Sequence, residues 1–209
     1  VSKFKIGIIN AHGSDLPKYR GNACPNWAIL NGDDKLAVTF HMIDPYGLDN
    51  GDIVQKKYFS IDRNTYIGDV YNWFAHTIPE GFLESVNLLK NGFKPIKQTG
   101  ESIRSYPRIP EDSKINWDFD SESILKIIRA SSHPFPGAYC FYKNQILRIY
   151  KANSFSVGFK FVAIKGQVLC YSDNNFPVIY CGGGGAIELS EYQLPDNEKL
   201  PKHLRFRLS

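Results

Sequence analysis

The feature that most constrains the fold is a short apolar stretch that ends abruptly in polar, glycine-bearing residues. Phe4 to Ile9 is mostly apolar and runs into Asn10-Ala11-His12-Gly13-Ser14-Asp15-Leu16-Pro17-Lys18-Tyr19-Arg20-Gly21. The stretch predicts a buried strand from Phe4 to Ile9, and Pro17 and Gly21 predict a loop from Gly13 to Gly21. On such a strand end, residues two apart point the same way, so Asn10 and His12 share a face. About forty residues on, Gly47-Leu48-Asp49-Asn50-Gly51-Asp52 supplies carboxylates in a turn. An amide, an imidazole and a carboxylate together suit acyl transfer onto an amine. The amide donates to a developing oxyanion, the imidazole accepts the proton that the amine must lose, and the carboxylate orients the ring.

The rest of the chain alternates strands and helices before turning to short strands. A short helix is expected over Pro25 to Asn31, stopped at Asn31-Gly32. Leu36 to Ile43 reads as a strand with Val38, Phe40 and Met42 on one face, and Ile53 to Phe59 as another. Thr65 to Asn91 has helical spacing, with Pro79 expected to kink or split it and Asn91-Gly92 to end it. Residues 97–116 turn polar, with Pro107 and Pro110. Ser121 to Ala130 is expected to be a helix capped by Asp120 or Ser121. Strands are expected at Tyr139 to Phe141, Ile146 to Ala152, Phe159 to Ile164, Gln167 to Tyr171, Val178 to Cys181 and Ala186 to Tyr192, a spacing that suits a small antiparallel barrel.

The residues also carry a family resemblance. N-x-H-G-S-x-L-P-x-Y-R-G at Asn10 to Gly21, P-N-W-A-I-L-N-G at Pro25 to Gly32, and G-L-D-x-G-D-I at Gly47 to Ile53 resemble the formyltransferases that use 10-formyltetrahydrofolate. Further stretches resemble that family's linker and C-terminal domain: Pro107 to Ser113, Ile115-Asn116-Trp117, Ile128-Arg129-Ala130 and Pro134 to Tyr139. So do Gly166-Gln167-Val168 and Gly182 to Gly185.

The resemblance implies an α/β fold with two parts. The first is the second part of a Rossmann-like catalytic domain, a parallel sheet lacking its first half, over residues 1–97. Residues 98–118 would be a linker, 119–194 a small OB-like β-barrel domain, and 195–209 a basic tail. The chain lacks an initiator Met, and a fragment of a longer polypeptide is the favoured expectation, with a shortened relative as the alternative.

The resemblance also implies roles. Asn10 would be the oxyanion donor, His12 the base and Asp49 the orienting acid, with Ser14, Leu48 and Asp49 facing the folate. Asp52 could compete with Asp49, and motif position favours Asp49. Ser14 is read as a loop hydrogen-bonder, not a nucleophile. His41, His76, His133 and His203 have no partners in the sequence.

The expected cosubstrate is 10-formyltetrahydrofolate and the expected acceptor an amino-sugar nucleotide. Ala23 to Trp27, Tyr106 to Ser113 and His133 to Ala138 look more like the sugar enzymes. The alternative acceptor is the amine of charged initiator tRNA, with the basic residues after Lys199 on the acceptor stem. A third reading, from a different class, is a non-catalytic binding module that kept the motif.

Bulk properties add little. The net charge of +4 is compatible with a phosphate-bearing substrate and speaks mainly to solubility. Cys24, Cys140, Cys170 and Cys181 have no metal-ligand spacing, so no metal site is expected and reduced, buried thiols are. The Gly182 to Gly185 run lacks a following helix and reads as a tight hairpin turn. No apolar run approaches the length of a membrane span and no signal peptide is visible, so the cytoplasm is the expected compartment.

Overall fold

A computed structural model describes residues 4–209. They form two compact units, one up to Arg108 and one from Ile109 onward. The division falls within residues 98–118.

In the first unit the chain runs β1 (Ile9–His12), β2 (Arg20–Gly21), α1 (Cys24–Asn31), β3 (Lys35–Met42), β4 (Ile53–Ser60), α2 (Ile67–Lys90) and β5 (Arg104–Ser105). Three strands make one sheet in the order β1-β3-β4. Both pairings in it are antiparallel, with Asn10 opposite His41 and His12 opposite Thr39. Parallel register, expected for the main sheet, is found instead in the short β2–β5 pair. The first strand is also shorter than the apolar stretch suggested. Phe4 and Ile6 are exposed, and pairing begins where the Ile43 N–H donates to the Ile8 carbonyl. An apolar run makes a strand only where a partner edge satisfies its backbone.

Alternation gives β3 two different faces. Val38 and Phe40 pack with Val54 beneath Trp73, Phe74, Ile78 and Leu89 of α2. Thr39 and His41 point the other way, toward the loop after β1. There the Thr39 hydroxyl donates to the Ser14 carbonyl and accepts from the Leu16 N–H, and Leu16 is fully buried. The apolar layer under α2 thus fixes the floor on which the polar face stands.

Helix α2 runs unbroken through Pro79, so the proline does not split it. A proline removes one intrahelical bond, and here α2 has a packed apolar face to offset that loss. Gly32 closes α1 in the left-handed conformation at φ 74°.

The second unit holds α3 (Ser121–Ser131), β6 (Ala138–Tyr142), β7 (Gln145–Phe155), β8 (Val168–Tyr171), β9 (Pro177–Tyr180) and β10 (Ala186–Gln193). The Asp120 carboxylate caps α3 by accepting from the Ser123 N–H. The strands form one antiparallel sheet in the order β6-β7-β10-β9-β8. The strand expected at Phe159 to Ile164 is absent, and Phe159, Val162 and Ile164 are exposed. Its alternation is imperfect and no neighbouring strand takes up its backbone.

The basic tail, by contrast, is ordered onto the sheet. Phe141 and Ser209 exchange backbone hydrogen bonds, and the Leu208 N–H donates to the Gly166 carbonyl beside the Gln167–Arg207 bridge. The last residues therefore join the β6 edge to the chain entering β8, closing the sheet on itself and burying Leu208. Closure of this kind removes free edges.

Gly182 to Gly185 form the β9–β10 turn, with the Cys181 N–H donating to the Gly185 carbonyl. Gly182 lies against the 117–120 segment, and a Cβ there would run into the Asp118 carbonyl oxygen. Gly182→Ala is expected to destabilise this unit by about 1–3 kcal/mol through overpacking. Urea denaturation should show it as a lower midpoint at unchanged slope.

Candidate active site

The polar face of β1 and β3 carries a cluster drawn from four segments. His12 is buried, and each of its ring nitrogens faces an oxygen. Its Nε2 lies 2.9 Å from the Tyr19 carbonyl oxygen, and its Nδ1 lies 3.7 Å from Asp49 Oδ2. A carbonyl only accepts, so Nε2 carries the hydrogen. Nδ1 is then the nitrogen open to a proton, and it faces a carboxylate.

The Tyr19 carbonyl is itself held in place. Tyr19 adopts the left-handed conformation at φ 58°. Its hydroxyl donates to Asp33 Oδ2 at 2.8 Å and accepts from Asn31 Nδ2 at 2.8 Å, while Lys18 Nζ reaches Asp33 Oδ1 at 2.9 Å. The Pro17-Lys18-Tyr19-Arg20 loop is thus anchored to the end of α1 and the residues after it.

Cys24, the first residue of α1, donates from Sγ to the same Tyr19 carbonyl at 3.1 Å and sits 3.5 Å from His12 Nε2. Burial, opposed by the Ser105 hydroxyl and aided by the Asp49 charge, pushes its thiol pKa up, so the sulfur stays protonated. Cys140 and Cys181, both buried in the second unit, are pushed up to about 12 mainly by burial. All four cysteines are free thiols.

Asp49 reaches the cluster from the turn after β3. Its own backbone is left-handed at φ 48°, a region that Asp tolerates better than most residues. Its Oδ2 accepts from the Gly21 N–H at 2.9 Å. A close approach makes that contact possible. Gly21 has φ 119°, and a Cβ there would strike the Ser105 carbonyl oxygen across the β2–β5 pair.

Gln98 ties the turn down. Its amide nitrogen donates to the Asp49 and Gly51 carbonyls at 2.8 and 2.9 Å, and its oxygen accepts from Arg20 Nε and Nη2 at 3.2 and 2.6 Å. The sequence reading missed Gln98, and no local signal marks it, because its partners lie 47 to 78 residues away.

Asn10, His12 and Asp49 therefore converge on one face. His41 joins them, although the sequence reading gave it no role. Its Nε2 is 3.3 Å from Asn10 Nδ2 and 3.9 Å from Asp49 Oδ1, and its ring meets that of His12 edge to face. The signal was available: if Val38, Phe40 and Met42 share one face of the strand, His41 must lie on the other.

Ser14 and Leu48 are placed differently. Ser14 is buried, and its hydroxyl donates to the Lys18 carbonyl at 2.8 Å, so it shapes the loop. Leu48 stands half-exposed beside Asp49. Asp52 contributes its backbone carbonyl to the Met42 N–H. Among the described residues, no group of three or more His, Cys, Asp or Glu could hold a metal ion, and no helix is long and apolar enough to cross a membrane.

Burial lowers the His41 pKa below that of a free imidazole, with the neighbouring His12 and Arg20 adding to it against the Met42 carbonyl and Asp49. The unfolded chain therefore binds this proton first as pH falls. Stability is expected to be full above about pH 6.5 and to decline as pH drops from there toward the folded-state pKa. Urea midpoints measured across that range should fall for the native protein and stay flatter for His41→Gln.

Comparison with known proteins places the chain. A family model described as formyl transferase matches residues 1–86, and one described as formyl transferase, C-terminal domain, matches residues 108–205. Methionyl-tRNA formyltransferase of Clostridium tetani is 37% identical over 172 residues, covering 78% of this chain and 55% of that protein. Among solved structures, WlaRD, a sugar 3N-formyl transferase crystallised with dTDP and 5-N-formyl-THF, matches with a TM-score of 0.65 at 26% identity. That match covers 92% of this chain and 66% of WlaRD. Methionyl-tRNA formyltransferase from Clostridium thermocellum matches with a TM-score of 0.55 at 30% identity, covering 69% of this chain and 62% of its own. The chain spans about half to three-fifths of the length of the curated relatives it matches.

Proposed function

Because this chain belongs to the formyl transferase family, we propose that the protein transfers a formyl group from 10-formyltetrahydrofolate to a primary amine at the Asn10–His12–Asp49 cluster. The observation that carries this reading is the convergence itself: the Asp49 carboxylate lies 3.7 Å from His12 Nδ1, with Asn10 on the same strand face.

The amine nitrogen attacks the formyl carbon, and a new C–N bond forms as the carbonyl oxygen gains negative charge. Asn10 donates to that oxygen. The amine, now cationic, gives a proton to His12 Nδ1, and the imidazolium formed there is held by Asp49. The bond from the formyl carbon to the folate N10 then breaks, N10 takes up a proton, and an N-formyl amide and tetrahydrofolate leave. The Tyr19 carbonyl keeps the ring in the tautomer that this step needs. The half-exposed Leu48 beside Asp49 is an apolar surface suited to the folate ring.

The favoured acceptor is an amino-sugar nucleotide. The likeness to the sugar enzyme runs over 92% of this chain at the higher TM-score, and the His133 to Ala138 stretch supports the same reading. A second acceptor, the amine of methionyl-tRNA, is favoured by the names of relatives 30–37% identical to this chain.

The test is to incubate the full native polypeptide and formyl donor with a panel of amino-sugar nucleotides and with charged initiator tRNA. Formylation of a sugar nucleotide, weakly dependent on salt, is expected. Formylation of the tRNA, with binding that weakens steeply as salt rises, would move the second reading forward.

A further inference from the structure

We propose that His41 is a positioning residue that fixes the orientation of the Asn10 side-chain amide. The inference rests on the reaction proposed above for what that orientation serves, and on the hydrogen-bond geometry alone for the orientation itself.

The Met42 carbonyl sets the tautomer of His41. His41 Nδ1 lies 2.9 Å from it, and a carbonyl only accepts, so Nδ1 carries the hydrogen. His41 is almost fully buried, where the neutral ring is the favoured form. A neutral ring protonated on Nδ1 leaves Nε2 as an acceptor. The group 3.3 Å from Nε2 must then be the Asn10 NH2, not its oxygen. One amide hydrogen is turned to His41. The second has no partner among the described residues, and it is the one that can serve an oxyanion beside His12. Without this acceptor the two ends of the amide would be nearly equivalent in shape, and half of its orientations would offer a carbonyl oxygen where a donor is needed.

The same contact explains why His41 must stay neutral. A proton on Nε2 would set two donors against each other and drive the amide to flip. It would also turn a cation toward Asp49 Oδ1, 3.9 Å away, in competition with His12. The charged or titratable groups that face His41 are His12 from β1, Arg20 from β2 and Asp49 from the turn after β3.

The test has two arms in the full native polypeptide. In the first, nitrogen NMR of the folded protein at neutral pH reads the His41 tautomer and the Asn10 side-chain amide, whether or not any amine is formylated. The expected result is hydrogen on Nδ1 with Nε2 bare, and an Asn10 amide resonance that moves when His41 is replaced by Gln or Leu. Hydrogen on Nε2, or an Asn10 amide indifferent to both substitutions, overturns the proposal.

The second arm uses activity. His41→Leu removes the acceptor and is expected to lower kcat about 10- to 100-fold with KM for the formyl donor little changed. His41→Gln supplies an acceptor oxygen and should recover most of the rate. A folded His41→Leu variant with native kcat, or a Gln variant as slow as Leu, refutes the role. A native protein that formylates no amine would instead count against the proposed reaction and leave the first arm to decide the geometry.

Discussion

His12→Ala is expected to lower kcat for formyl transfer by about 10²- to 10⁴-fold, the usual contribution of a positioned general base. The loss should fall on kcat, because in the proposed reaction His12 Nδ1 takes a proton that becomes available only after the amine has attacked. The fold should survive. His12 is buried, but its removal does not strand the Tyr19 carbonyl, which still accepts from the Cys24 thiol at 3.1 Å. The stability cost is therefore expected to be near that of one neutral hydrogen bond plus lost packing, on the order of 1–2 kcal/mol. Steady-state kinetics paired with a thermal melt checks both halves. A folded variant retaining most of its activity would remove His12 from the base role.

Asp49→Asn is the second large effect. Asparagine keeps the shape, tolerates the left-handed backbone at φ 48°, and can still accept from the Gly21 N–H. What it lacks is the charge that holds a protonated His12. The rate is expected to fall on the order of 10²- to 10³-fold, comparable to removing a transition-state partner, with little change in stability. Asp52→Asn is the control. Asp52 serves its neighbours through its backbone carbonyl, so the variant should run near the native rate. A large loss at Asp52 with a small one at Asp49 would exchange the two roles.

The parts of this site that were legible in the sequence are those set by local rules. Two residues apart on a strand end put Asn10 and His12 on one face, and the glycines of Gly47 to Gly51 marked the turn that carries Asp49. The caps of α1 and α3 and most strands of the second unit followed from turn chemistry and alternation. What the sequence hid depends on distant partners. Gln98 is an unremarkable polar residue until the fold brings it against Asp49, Gly51 and Arg20. His41 was visible by parity on β3, but its meaning needed the register that sets it opposite Asn10. The Phe159 to Ile164 stretch has strand-like residues and makes no strand, because a strand also needs an edge to pair with. The tail from 195 shows the reverse. Its composition is basic and carries no strand pattern, yet its last residues close the sheet through hydrogen bonds to Phe141 and Gly166.

In the proposed reaction Asn10, His12 and Asp49 act as one unit. The most direct measurement is kcat for the double variant His12→Ala/Asp49→Asn beside each single variant, in the full native polypeptide with formyl donor and its amine. Residues that act together lose activity non-additively. The expected result is a double variant no slower than His12→Ala alone. Losses that multiply would show that Asp49 and His12 contribute independently and would contradict the account.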